Sequence, residues 1–248
     1  MKKLLAYPFS IVYYCCFGSV LVLFHGLQWI TFYGFGYKAH KFSVDLLNYF
    51  ILRCLNLLGT RITFTLDEKL PTHRPILFVV NHQSTYDIPP IIWYLRKFHP
   101  KFISKKELGK GIPSVSFNLR HGGSVLIDRK KPKLALKQIE AFGKRLHQKK
   151  HSAVIFPEGT RSKNGTPKKF QKSGLLSLFK TLPDALVVPI SVRNSWKFGA
   201  YRYFPMPLGV QLEHRVHRPL EIDHKNPVEF IEKLEQKIHQ EVLKNQPN

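Results

Sequence analysis

Acidic residues are few in this chain of 248: 16 Asp and Glu stand against 39 Lys and Arg, a formal net charge of +23. An excess of that size calls for a polyanion nearby, whether nucleic acid, an anionic membrane surface or phosphorylated substrates. Cysteine is scarcer still. Cys15, Cys16 and Cys54 lie in apolar N-terminal segments without metal-ligand spacing, which excludes a cysteine-held metal and reads as buried thiols in a reducing compartment. No G-x-S-x-G occurs, so the strained elbow that presents a hydrolase serine is excluded. Internal repeats and low-complexity tracts are also missing, and with 44% hydrophobic residues the chain can bury one α/β core with an appendage.

Between Leu4 and Tyr37 charge is absent altogether: 34 residues hold no Asp, Glu, Lys or Arg, with Lys2 and Lys3 before them and Lys38 after. The run exceeds the roughly 20 residues that span a bilayer. A cleaved signal would have a shorter apolar core and a small-residue cleavage site; LVLFHGLQW has neither, so the segment reads as retained. A second apolar stretch, Phe42 to Gly59, is interrupted by Asp45 and Arg53 and sets Leu46, Leu47, Phe50, Ile51, Cys54 and Leu57 at helical spacing. It predicts an amphipathic or interfacial helix, and the two segments in series predict a membrane-dipping hairpin over residues 1–59.

Near Thr60 the composition turns basic with short apolar runs, which sets a domain boundary and leaves residues 60–248 as the second domain. Strand-like runs (RITFTL, ILFVV, SVLI, SAVIF, LVVPISV) alternate with helix-like ones (IIWYLRKF, KPKLALKQIEAFGKRLHQ, SGLLSLFKTL), a pattern that predicts an α/β sheet with helices on its faces. VQLEHRVHRPLEI alternates like a half-exposed strand. NPVEFIEKLEQKIHQEVL then reads as a closing helix with Asn226 at the N-cap, Pro227 at N1 and Glu229 at N3.

The stretch NHQSTYD, Asn81 to Asp87, follows the buried-strand pattern ILFVV. Loops that leave the carboxyl ends of parallel strands collect ligands, because backbone amides and helix N-termini converge there. In a strand-turn-helix geometry Asp87 can fold back to accept a bond from the His82 imidazole. The other ring nitrogen is then free to take a proton from a substrate hydroxyl. Ser84 sits too near His82 in sequence to serve as that base's nucleophile and reads as a brace of the turn. FPEGTRS, Phe156 to Ser162, follows SAVIF and offers Glu158 and Arg161 at another strand end, the guanidinium suited to phosphate. Between these blocks, Lys105 or Lys106 and Arg129 are further cations that separate strand ends could deliver to one phosphate cradle.

In this order and spacing, NHQSTYD, the Lys105-to-Arg129 block, FPEGTRS about 70 residues after the first block, and VVPISV around Pro189 resemble the glycerolipid acyltransferase family, specifically the bacterial lysophosphatidic acid acyltransferases. The resemblance implies a mixed β-sheet flanked by helices, an apolar groove for the acyl chain, and an N-terminal membrane-associated hairpin. It implies His82 as general base oriented by Asp87, with Lys105, Arg129, Glu158, Gly159, Thr160 and Arg161 binding the acceptor. An acyl-CoA or acyl carrier protein thioester would be the donor and a lysophospholipid the acceptor. No acyl-enzyme, metal or organic cofactor is implied, and the location would be the cytoplasmic face of a bacterial inner membrane. Two departures stand out: LGKGIP is one residue longer than the family's turn, and Ser116 replaces a glycine. Family spacing favours Lys105, three before Leu108, over Lys106.

Other classes explain less. The apolar anchor and the lack of a recognisable binding motif weigh against nucleic acid. A non-catalytic membrane-surface protein leaves His82, Asp87, Glu158 and Arg161 without a reason to occur in this order. Among acceptors, lysophosphatidic acid is the expectation and a lyso-ornithine lipid, which would need fewer of the three cations, the alternative.

Overall fold

The computed structural model describes residues 2–244. The uncharged N-terminal run forms most of one long helix, α1 (Lys2–Asn56), which bends at Gly36, where φ is 76° and ψ is −167°. Only glycine adopts that backbone without strain. The arms 2–35 and 37–56 fold back on each other: Thr31 Oγ1 and Ser43 Oγ are 3.2 Å apart, the rings of Phe24 and Phe50 are 5.6 Å apart, and Leu21 packs with Leu47 and Ile51. The helix is long and apolar enough to cross a membrane, and just 17% of its most apolar window is buried. Leu4, Leu5, Leu23, Ile30 and Phe35 are all exposed. So is Cys15, against the expectation of a buried thiol; Cys16 is half-buried and Cys54 buried. Cys15 lies on the outer face of the hairpin, where apolar character does not imply contact with protein.

Six further strands and the short first one, β1 (Arg61–Leu66), form a single sheet. They are β2 (Ile76–Val80), β3 (Lys101–Lys105), β4 (Val125–Ile127), β5 (Ala153–Ile155), β6 (Leu186–Arg193) and β7 (Gln211–Val216), in the spatial order β1-β7-β6-β2-β5-β3-β4. From β6 to β4 all neighbours are parallel, while β7 runs antiparallel to β6 and carries β1 parallel to itself. The sheet is therefore mixed. β2 is buried throughout because both of its faces are covered. Ile76, Phe78 and Val80 face a core shared with α1 and α2 (Ile88–Tyr94), and Leu77 and Val79 face one built on α4 (Pro132–Lys149), α5 (Lys172–Thr181) and α6 (Pro227–Leu243). A short α3 (Val115–His121) packs on the hairpin.

Two details differ from expectation. KFISK forms β3, a strand with lysine at each end that its weak apolar pattern does not announce. At α6 the Asn226 side chain makes no capping bond; Asp223 Oδ1 accepts the amides of Lys225 and Asn226 instead, at 3.0 and 2.9 Å.

Candidate active site

Because β6, β2, β5, β3 and β4 are neighbours and parallel, their carboxyl ends share one edge. His82 lies two residues beyond β2, Glu158 three beyond β5, Lys105 at the end of β3, Arg129 two beyond β4 and Ser195 two beyond β6. Asn81 ties the centre of this edge together. Its side chain donates to Val192 O at 2.9 Å and accepts from Val192 N at 2.7 Å, so β2 and β6 are bridged just where β2 ends.

The turn after β2 is built around Asp87. Ser84 caps a 3-10 turn, Thr85–Asp87, by accepting the Tyr86 amide at 3.0 Å. Asp87 is fully buried, and its Oδ2 accepts the amides of Gln83 and Ser84 at 2.7 and 3.1 Å and lies 2.8 Å from His82 Nδ1. The Ser195 hydroxyl donates to Oδ1. Four donors thus converge on one carboxylate. Facing an acceptor-only partner, Nδ1 carries the ring proton and Nε2 holds the lone pair. The imidazole stacks on Phe156, centroids 4.3 Å apart. Behind the turn, buried His214 donates from Nε2 to Asp87 O at 3.0 Å, and burial lowers its pKa to about 4, so it is a neutral strut.

The loop after β5 is stitched to the same turn. The His82 amide donates to Glu158 Oε1 at 3.0 Å, and Ser162 N donates to His82 O at 2.7 Å. Glu158 is 4% exposed, and burial raises its pKa to about 7, an effect the amides of His82 and Lys168 only partly oppose. It faces the backbone of the histidine. Gly159 has φ 69°, a left-handed conformation, and its carbonyl accepts Arg129 Nη1. Thr160 is exposed. Arg161 is also exposed and donates to Tyr203 OH at 3.1 Å. Lys105 and Lys106 are both exposed, the first on β3 and the second opening a 3-10 turn, with no hydrogen bond or ion pair to the other site residues among those described. Ser116 staples the longer LGKGIP loop, donating to Leu108 O at 2.9 Å and accepting from Ile112 N at 3.0 Å.

Beside this edge an apolar cavity of about 260 Å³ runs between the strand ends and α4 and α5, lined by Ile103, Ile127, Leu136, Ile155 and Phe156, with Arg129 in its wall. The hairpin reaches the edge as well. Tyr13 OH donates to Tyr86 OH at 2.8 Å, Tyr14 OH to Tyr203 O at 2.5 Å, and Ser10 Oγ accepts the Met206 amide at 2.8 Å. Sequence reading missed Asn81, Ser195, Tyr203 and His214. Asn81 adjoins a motif, whereas the other three lie in stretches whose spacing carries no signal.

Comparison with known proteins places the chain among the acyltransferases. The sequence matches a family model described as Acyltransferase over residues 61–193. A 1-acyl-sn-glycerol-3-phosphate acyltransferase of Helicobacter pylori is 34% identical over 68% of this chain and 69% of its own length. A protein of the same name from Pseudomonas aeruginosa is 30% identical over 60% of this chain and 57% of its own, and one from Cocos nucifera 31% over 62% and 49%. The chain thus spans between about half and two thirds of the curated relatives it matches. The crystal structure of a 1-acyl-sn-glycerophosphate (LPA) acyltransferase from Thermotoga maritima has the same fold, with a TM-score of 0.75 and 23% identity over 100% of both chains.

Proposed function

The chain belongs to the acyltransferase family, and from that premise we propose that it transfers an acyl chain from a thioester to the free hydroxyl of lysophosphatidic acid, giving phosphatidic acid. The observation that supports this most is the His82–Asp87 pair, 2.8 Å apart on the strand edge that also carries Lys105, Arg129 and Arg161. His82 Nε2 takes the hydroxyl proton as the oxygen attacks the thioester carbonyl. Asp87 stabilises the imidazolium that forms. Collapse of the tetrahedral intermediate expels the thiolate, which recovers the proton from His82. The three cations hold the acceptor phosphate, and Glu158 acts through the backbone of His82, fixing the base.

The acyl chain lies in the apolar cavity beside Phe156, and acyl-CoA or acyl carrier protein supplies it. The apolar outer face of the hairpin holds the enzyme in the membrane, where lysolipid already resides. A net charge of +23 suits the anionic cytoplasmic leaflet of a bacterial inner membrane.

The test is release of free thiol from acyl-CoA by the detergent-purified chain, with and without lysophosphatidic acid. Wild type should release thiol only with the acceptor, and His82→Ala should lose roughly 10²–10⁴-fold of that rate, the range for a general base. Acceptor-independent release would instead make the chain a thioesterase. Loss of rate with lysophosphatidic acid, but not with a phosphate-free lysolipid, in Lys105→Ala and Arg161→Ala would support the phosphate cradle.

A further inference from the structure

The opposite edge of the sheet, where β3 begins, carries a polar cluster that acyl transfer does not use. Lys101, the first residue of β3, is 7% exposed and extends beside Gly123, whose φ is 90°. Its Nζ lies 5.1 Å over the Tyr37 ring, just past the hairpin bend, and makes no hydrogen bond or ion pair among the described residues. The neighbouring Lys41 pairs with Asp45. His99 and His151 stack on each other with centroids 4.7 Å apart, both stack with Tyr37, and Tyr37 OH is 3.2 Å from His99 Nδ1. His40 is fully buried, and neither of its ring nitrogens makes a hydrogen bond, although Asn118 and the Gln28 backbone flank it.

Charge and size together restrict what could complete this cluster. Burial, with Lys41 and Lys101 beside it, lowers His99 to about 4, and burial, His99 and the nearby lysines lower His151 to about 4, so the imidazoles are neutral. Lys41 and Lys101, the latter lowered by burial to about 8, face the one carboxylate of Asp45. A buried charge without a counter-charge is costly to a fold, and here the surplus is positive. The cavity that Lys41, Asp45, Lys101, His40, His99 and Tyr37 line is about 20 Å³, room for one oxygen-sized group. It adjoins the hairpin bend through Tyr37, and Trp29 and Tyr33 on the preceding turns of α1 are exposed. Aromatic residues of that kind settle at the head-group level of a bilayer, where phosphate is the abundant anion.

We propose that this pocket binds a phosphate oxyanion, one oxygen entering between Lys101, Tyr37 and His99 while the rest of the group stays at the mouth. The site is separate from the acceptor cations by the full length of β3. Its readout is binding, so it stands or falls independently of the transfer reaction.

The experiment follows the thermal unfolding midpoint of the full chain in dodecyl maltoside, at constant ionic strength, for wild type, Lys101→Met and Arg161→Ala. One arm adds inorganic phosphate. The other dopes the micelles with phosphatidylglycerol and leaves out free phosphate. A saturable rise of a few degrees is expected in wild type and in Arg161→Ala, with a clearly smaller one in Lys101→Met, where the acceptor cations alone remain to bind phosphate. A rise confined to the second arm assigns a lipid phosphate, and a rise in the first assigns free phosphate. Should Lys101→Met fail to fold, Lys41→Met, which frees Asp45 to pair with Lys101, is expected to weaken the response at least tenfold. An equal rise in wild type and the lysine variants, or no rise with either source, overturns the proposal.

Discussion

Ser195 and Asp87 are 108 positions apart in sequence and share a hydrogen bond in the buried floor of the site. A hydrogen bond to a charged group contributes about 1.5–3 kcal/mol, so Ser195→Ala should lower kcat by roughly tenfold or more while KM holds. A merely structural serine would lower the unfolding midpoint and leave the turnover of folded protein unchanged. Glu158 makes a prediction of the opposite kind, about pH. Its folded pKa of about 7 lies above the ordinary value of 4.5, so the folded state binds the extra proton. The stability it contributes is complete below about pH 4.5 and is lost as pH rises through 7, a change on the order of 3 kcal/mol. Glu158→Gln keeps an oxygen for the His82 amide and should flatten that slope in denaturant titrations. Parallel slopes for the two proteins would show that the carboxyl is not the group responsible. His82, Asp87, Arg129, Glu158 and Arg161 can be read from short motifs because each lies within a few residues of a strand end. Ser195 and His214 cannot, since what joins them to Asp87 is strand order, and strand order is not written in any local spacing.

At the level of elements, the apolar pattern announced α1, α2, α4, α5 and α6 and most strands that are apolar throughout. It failed at β3, where lysines at both ends hide three buried positions, and at the start of α6, where Asn226 makes no capping bond and its own amide is held by Asp223. The packing of α4 on α5 makes its own prediction. A Cβ at Gly143 would stand 2.0 Å from Thr181 Oγ1 and 2.8 Å from its Cβ, both on α5. Alanine favours helix over glycine by about 1 kcal/mol, yet overpacking costs typically 1–3 kcal/mol. Gly143→Ala should therefore be destabilised by up to roughly 2 kcal/mol in chemical unfolding. A gain in stability would mean that the two helices part freely there.

For the whole molecule, two forces act towards a membrane: the charge of +23 and the apolar outer face of α1. Salt separates them. At about 1 M the Debye length is about 3 Å and long-range attraction is gone, so wild type should still sediment with phosphatidylglycerol vesicles. The double variant Leu23→Glu, Ile30→Glu, at positions 71% and 58% exposed, should be released at that salt. Release of wild type itself would make charge the anchor and the hairpin a bystander.

The pairing of β1 with β7 has a consequence for how the molecule is made. Arg61 finds its partner at Gln211, 150 positions later, and among the described residues β1 pairs with no other strand. At translation rates of 5–20 residues per second, β1 leaves the ribosome roughly 8–30 s before the strand that receives it. Ser195 and His214, which complete the surroundings of Asp87, emerge in the same late interval. On the proposed function, a nascent chain can settle its hairpin at the bilayer long before His82 is oriented by Asp87, and targeting then precedes activity by the order of synthesis alone.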